Sequence, residues 1–298
     1  MTRRAPHTFI GISGWRYTPW RGVFYPKDWP QKKELEFVAS KMNSDEINGT
    51  FYSLQRPSSF AAWYDQTPAG FVFSVKGGRY ITHMRRLREV RTPLANFFAS
   101  GILRLRDKLG PILWQFPPNM GFDAEKFETF FSLLPHHTLA AAALAKEHDG
   151  KMKSKSWTRA DRKRPIRHAV EIRHPQFMCE EFIAMLRRHR IALVFADTPK
   201  WPYTEDITAD FIYLRLHGDK ELYASGYGDE ALDRWAQRIR AWRQGRQPRD
   251  AKRISRKLPP KAKVRDVYAY FDNDIKVHAP FDAMSLAAKL REGRPTSK

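Results

Sequence analysis

The sequence predicts an α/β protein built as a single (β/α)8 TIM-type barrel, with residues 1–298 forming one domain. Three observations carry this reading. Eight short runs are rich in aliphatic, aromatic and β-branched residues, as strands buried on both faces should be. Helical patterns fall between them. Most of the runs end in a polar or charged residue, as expected of a sheet that gathers a site at its carboxyl edge.

The first run, 9–13, leads into Gly14-Trp15, and the second, 44–48, ends in Glu46 and Asn48. The third, 71–75, is followed by Lys76, and the fourth, 111–115, ends in Gln115. Before that fourth run, Thr92-Pro93 opens a helix carrying Leu94, Phe97, Phe98, Ile102 and Leu105, which stops at Gly110-Pro111. Asp123 opens the next helix, with Phe127, Phe130, Phe131 and Leu134 on one face and an end at Pro135. The fifth run, 168–173, contains Glu171 and Arg173, and a helix after Pro175 presents Phe182, Ile183 and Leu186. The sixth, 191–196, meets Asp197, and the seventh, 211–216, carries Arg215 and leads into His217. A helix near Asp229 presents Leu232, Trp235, Ile239 and Trp242. The eighth run, 266–271, ends at Asp272 and Asn273, and a last helix starts at about Asp282. An open doubly wound sheet is the structural rival. Gly11-Ile12-Ser13-Gly14 lacks the G-x-G-x-x-G spacing such a sheet uses for phosphate.

Composition narrows the class. Hydrophobic residues make up 42% of the chain, which is a globular content. No run approaches the roughly 20 apolar residues of a membrane span, and the basic start at Met1–Pro6 lacks the apolar stretch of a signal peptide. Cys179 is the only cysteine, which excludes an internal disulfide and a thiolate metal cage. The expectation is a cytoplasmic protein with no membrane partner. The net charge of +21 is localised: residues 146–168 hold +6 and residues 243–265 hold +9. Both read as loops that join a helix to the next strand, on the amino-terminal face of a barrel and away from its usual active site. They offer nonspecific contact to nucleic acid.

Period-two geometry sorts the strand ends. Ile47 facing the helices puts Glu46 and Asn48 toward the barrel axis, and Ile172 facing out leaves Glu171 and Arg173 inward. Arg215 and His217 share a face with Tyr213, Lys76 continues the Ser74 side, and Asp197 is taken to follow Leu193 and Phe195 inward. The mouth is therefore expected to hold Glu46, Asn48, Lys76, Gln115, Glu171, Arg173, Asp197, Arg215, His217 and one or both of Asp272 and Asn273.

Four chemistries use such a set. As a structural network, Glu171–Arg173 and Asp197–Arg215 would neutralise each other, since buried charges need partners. As a divalent metal site, Glu46, Glu171, Asp197, His217 and Asp272 would be the hard ligands. No H-x-H or H-E-x-x-H motif occurs, and the interior cations oppose a divalent ion, so no cofactor is assigned. As a site for a small anionic or phosphorylated ligand, Lys76, Arg173 and Arg215 supply the clamp, with His83 and several arginines in the loop after Lys76. Glu171, Glu46, Asp197 and His217 would then move protons in a hydrolase or isomerase. A ligand sensor without turnover needs the same residues. Trp15 and Tyr52 add aromatic faces for stacking, whereas Trp114, inside an apolar run, reads as core. The alternative is a nucleic-acid-binding protein or a metal-dependent barrel nuclease, on the strength of the basic loops. His136, His137 and His189 are read as helix-ending residues.

Nine ordered stretches carry a family resemblance. They are Gly14-Trp15 with Trp20 and Phe24-Tyr25-Pro26; Glu46-Ile47-Asn48-Gly49-Thr50-Phe51-Tyr52; Phe73-Ser74-Val75-Lys76; Ile81-Thr82-His83; Gly110-Pro111-Ile112-Leu113-Trp114-Gln115-Phe116-Pro117-Pro118; Val170-Glu171-Ile172-Arg173-His174; Ala196-Asp197; Tyr213-Leu214-Arg215-Leu216-His217-Gly218; and Tyr270-Phe271-Asp272-Asn273-Asp274. On these the chain resembles the YecE-like proteins, the family labelled domain of unknown function 72, over nearly its whole length. The resemblance implies a TIM-type barrel and no particular reaction. The chain departs from the family in its basic segments and at Gly49, where serine is more usual.

Overall fold

A computed structural model describes residues 6–150 and 155–292. The basic start of the chain and most of the Lys/Ser-rich stretch at 151–155 fall outside the described residues. Eight parallel strands close into a barrel in sequence order. They are β1 (Thr8–Ile12), β2 (Ser44–Ile47), β3 (Val72–Lys76), β4 (Leu109–Gln115), β5 (His168–Glu171), β6 (Ala192–Asp197), β7 (Phe211–Leu216) and β8 (Asp266–Phe271). Closure runs through β1 against β8, from Thr8 opposite Val267 to Ile12 opposite Phe271. Each strand is buried over nearly its whole length, the physical reason for the continuous apolar runs.

Helices α1 (Glu34–Lys41), α2 (Gly49–Tyr52), α3 (Pro57–Asp65), α4 (Arg91–Ala99), α5 (Ala124–Leu133), α6 (Thr138–Ala145), α7 (Glu180–Arg188), α8 (Asp229–Arg243) and α9 (His278–Glu292) surround the strands. Asp123 caps α5 as its sequence position suggests, accepting from the Lys126 amide at 3.1 Å. No helix among the described residues is long and apolar enough to cross a membrane.

Several local expectations need correction. The helix opened at Thr92-Pro93 does not continue to Leu105. It breaks at Gly101, which adopts φ 118°, and resumes as a 3-10 turn over Ile102–Lys108. Gly110 and Pro111 lie inside β4 rather than ending a helix. Strand and helix do not alternate at every step, because residues 198–210 join β6 to β7 without a helix. The last helix begins at His278, four residues before Asp282. His137 begins a helix rather than ending one, its ring nitrogen accepting from the Ala140 amide at 3.0 Å.

Two apolar layers result. Inside the barrel sit Phe9, Val72, Leu113, Ala169, Val194, Phe211, Tyr213, Tyr268 and Tyr270. Between barrel and helices lies a larger layer that includes Val75, Trp114, Leu193, Phe195, Leu214 and Phe271. The basic segments at 146–168 and 243–265 run from α6 to β5 and from α8 to β8, so they approach the strands from their amino-terminal ends.

Candidate functional site

At the carboxyl ends of the strands the interior turns polar. Ser13, Glu46, Lys76, Gln115, Glu171, Arg215 and Asp272 take the inward positions, and on β6 that place falls to Ala196. Arg215 is the centre of this layer and is 0% exposed. Its guanidinium donates to Glu46 Oε1 at 2.8 Å, to Glu171 Oε2 at 2.7 Å, to Asp272 Oδ2 at 2.8 Å and to Ser13 Oγ at 3.1 Å. Glu46 also accepts from Ser13 Oγ at 2.7 Å and from the Tyr213 hydroxyl at 2.5 Å. Burial by itself would push the Glu171 carboxyl up, but Arg215 and Arg173 hold it well below the usual carboxylate range. The same contest lowers Asp272, with Arg215 and His217 outweighing burial.

Above this floor opens a pocket of about 790 Å³. Its charged lining is Lys76, Arg79, Arg173, Asp272 and Asp274, with Tyr17, Asn48, Phe51, Tyr52, His83, Met84, Gln115, Tyr223 and Ile275 completing the wall. Arg173 donates to Glu171 Oε1 at 2.8 Å, and its guanidinium carbon sits over the Trp201 ring, 3.6 Å from the centroid. Arg79 sits over Tyr52 at 5.7 Å.

Lys76 ends β3 and is held there by two backbone constraints. Its carbonyl accepts from Thr50 Oγ1 at 2.7 Å. The next residue is Gly77, where a Cβ would meet the Trp114 ring at 2.3 Å, so only glycine lets the chain pass over that buried indole. The Lys76 side chain is 8% exposed, and its amine lies 4.6 Å from the centroid of Phe51. Burial and the nearby Arg215 lower the Lys76 amine to about 8, against opposing attraction from Glu46, Asp272 and Glu171. Burial, Arg173 and Lys76 lower the His83 imidazole to about 4, so it is neutral at pH 7. Burial and the negative Asp272 raise the Asp274 carboxyl.

Of the residues chosen from sequence, Asn48, Tyr52, Lys76, His83, Gln115 and Arg173 line the pocket. Glu46, Glu171, Arg215 and His217 form the sealed floor, each 0% exposed. His217 Nδ1 is 3.1 Å from Asp272 Oδ2, and its ring is closed in by Trp201 and Tyr223, each 5.4 Å away.

Three choices are corrected. Asp197 does not face the axis: it accepts from the Trp235 indole of α8 at 3.3 Å and makes no pair with Arg215. Ala192, Val194 and Ala196 are the inward residues of β6, which reverses the expected parity. Asn273 points away from the mouth, donating to Asp282 Oδ2 at 2.8 Å and to the Ser225 carbonyl at 3.0 Å, while Asp272 takes the inward place. Trp15 packs edge-on against Trp63 at 5.3 Å and lines a neighbouring side groove instead. Of the five residues that a metal site would have used, Asp197 lies elsewhere, bonded to Trp235. Among the described residues no set of three or more His, Cys, Asp and Glu side chains is arranged to hold a metal ion. Glu46, Glu171 and Asp272 converge on the Arg215 guanidinium, the cation already at the centre of the set.

Tyr17, Tyr223 and Asp274 come to the pocket from loops and Phe51 from the short helix α2, and none of them was selected as a site residue from sequence. Tyr17 and Asp274 flank recognised strand ends, which was the available signal. Nothing local marks Tyr223.

The polar-capped barrel can now be set beside known proteins. The family model described as Protein of unknown function DUF72 matches residues 9–298. The chain belongs to the DUF72 family. A curated relative, UPF0759 protein YunF of Bacillus subtilis, is 25% identical over 154 residues, which is 50% of this chain and 51% of that protein. The chain thus spans about half the length of the curated relative it matches. The crystal structure of a DUF72 family protein from Thermotoga maritima superposes with a TM-score of 0.72 at 23% identity, covering 96% of this chain and 99% of that one. A DUF72 family protein from Enterococcus faecalis superposes with a TM-score of 0.67 at 14% identity, covering 97% of each chain. These DUF72 structures share the barrel fold.

Proposed function

We propose that the mouth of this barrel binds a small anionic ligand and acts on it by proton transfer. The observation that carries this reading is Lys76, a largely buried cation on the pocket wall with no hydrogen bond or ion pair among the described residues, beside Arg79 and Arg173. An unpaired buried charge is costly unless a ligand of opposite charge completes it. Arginine suits phosphate or carboxylate, which it can grip through two parallel hydrogen bonds. Asp274 and Lys76 are displaced toward neutrality from opposite directions, a pairing suited to general acid and base work. Glu46 and Glu171 serve this site as positioning residues, since Arg215 and its partners bind them fully.

The test is calorimetric titration with inorganic phosphate and with pyruvate, comparing the natural chain with Arg79→Ala. Removing one charge-assisted contact should weaken binding roughly tenfold, about 1.4 kcal/mol. Unchanged affinity in Arg79→Ala, or no binding of either anion, overturns the reading. Oligonucleotide binding is a second reading, supported by the basic segments that reach the other end of the barrel. It should weaken steeply as salt rises and should be indifferent to Arg79→Ala.

A further inference from the structure

We infer that Lys76 is a nucleophile that forms an imine with a small anionic carbonyl compound, such as a 2-oxo acid or a phosphorylated ketone. The inference rests on the anionic-ligand reading above and deepens it by naming the reacting group.

Geometry comes first. The Lys76 amine ends a strand of a rigid barrel and reaches a pocket of about 790 Å³, large enough for a ligand of a few carbons. It is nine-tenths buried, it has no hydrogen bond or ion pair among the described residues, and the face of Phe51 lies 4.6 Å away. A partnered structural lysine would look different. Lys108 in this chain donates to the carbonyls of Tyr64 and Thr67, each at 2.6 Å, and to Thr67 Oγ1 at 3.0 Å. The Lys76 amine instead faces the open pocket, where a bound molecule can reach it.

Its surroundings also favour the reactive form. An amine attacks a carbonyl only when unprotonated, and apolar burial or a neighbouring cation increases that fraction. Here burial acts with Arg215, against Glu46 on the adjacent β2, Asp272 just past β8 and Glu171 on β5, and the amine falls to about 8. At pH 7.5 its unprotonated fraction is then roughly two-hundredfold that of an ordinary lysine. Arg79 and Arg173 share the same wall and would hold the carboxylate or phosphate of the ligand while its carbonyl meets the amine.

The step balances without a redox partner. The amine lone pair attacks the carbonyl carbon, a C–N bond forms, and the carbonyl oxygen takes up a proton. The nitrogen loses a proton and the carbinolamine C–O bond breaks. One water leaves and a C=N bond remains. Asp274, which lines the pocket and is biased toward its protonated form, is placed to supply the proton that departs with the oxygen.

The experiment incubates the full chain with pyruvate, and separately with dihydroxyacetone phosphate, with and without sodium borohydride. Intact mass and peptide mapping then locate the reduced adduct. The expected result is one adduct per chain on Lys76 that requires borohydride, with Lys76 labelled at least about tenfold more than exposed lysines such as Lys276. Lys76→Arg should abolish that adduct, and the peptide map of the natural chain keeps the test valid if the variant folds poorly. Labelling spread over surface lysines, or no adduct while calorimetry still detects anion binding, overturns the imine and leaves the anionic-ligand reading standing. Absence of both binding and adduct overturns both.

Discussion

Replacing Lys76 with methionine should make this protein more stable. Methionine keeps the length and most of the volume of the side chain while removing its charge. The drop in the Lys76 amine from 10.5 to about 8 means that holding it protonated in the folded state costs about 3 kcal/mol. Against this, Lys76→Met forfeits the contact between the ammonium and Phe51, about 1 kcal/mol for a desolvated pair. The net gain at pH 7 is therefore about 2 kcal/mol. Its sign with pH follows from a folded-state value below the unfolded one. Between about 8 and 10.5 the unfolded chain binds more protons at Lys76 than the folded chain does, so the natural protein gains stability as pH rises through that window. Below about 8 the penalty is full. Urea unfolding followed by tryptophan fluorescence at pH 7 and pH 10 reads both quantities. The variant should lead by about 2 kcal/mol at pH 7, and its lead should shrink by about that amount at pH 10. A variant less stable than the natural chain at pH 7, or a lead that ignores pH, would refute the claim that Lys76 is buried at a cost.

Other substitutions probe the floor and the backbone. Arg215→Met leaves Glu46, Glu171 and Asp272 buried around a neutral side chain and should cost at least about 3–5 kcal/mol, read as a fall in the urea midpoint. Acidification should narrow the gap to the natural protein, because protonated carboxyls no longer need the guanidinium; a gap that widens in acid would contradict this. Gly77→Ala drives a Cβ to 2.3 Å from Trp114, whose ring is wedged against Phe97 and Phe130, and should cost about 1–3 kcal/mol in the same assay.

The strands were legible because a strand buried on both faces is written as an unbroken apolar run, and each of the eight expected runs overlaps an observed strand. That property also hid the parity of β6. Leu193, Val194, Phe195 and Ala196 are all apolar, so period two gave no direction, and the bulkier pair was assigned to the interior. The barrel interior already holds Phe9, Phe211, Tyr213, Tyr268 and Tyr270 and takes the smaller Val194 and Ala196 from β6, while Leu193 and Phe195 pack beneath the helices. Asp197 followed Leu193 and Phe195 outward. On β8 the inward choice between Asp272 and Asn273 turned on one residue of register, settled by Tyr268 and Tyr270 facing inside. Distances were not legible at all. Sequence put Lys76, Glu171 and Arg215 in one mouth, but it did not separate the saturated carboxylates below from the unpartnered amine above. Tyr223 reaches the site through the loop after β7, whose path depends on tertiary contacts, including Asn273 to Ser225 at 3.0 Å.

The four-way grip on Arg215 bears on how the chain finds its alignment. Glu46, Glu171 and Asp272 lie 169, 44 and 57 residues from Arg215 along the chain. A slip of β7 by one position would send Leu216 among three carboxylates and drive a guanidinium into the oily layer beneath the helices. Every wrong stagger is thus penalised twice, once for the stranded anions and once for the stranded cation. The cluster works less as glue than as a proofreading device for barrel closure. Half of the barrel, lacking β5 to β8, would hold Glu46 without its counterion, so the two halves should fold as one cooperative unit rather than in succession.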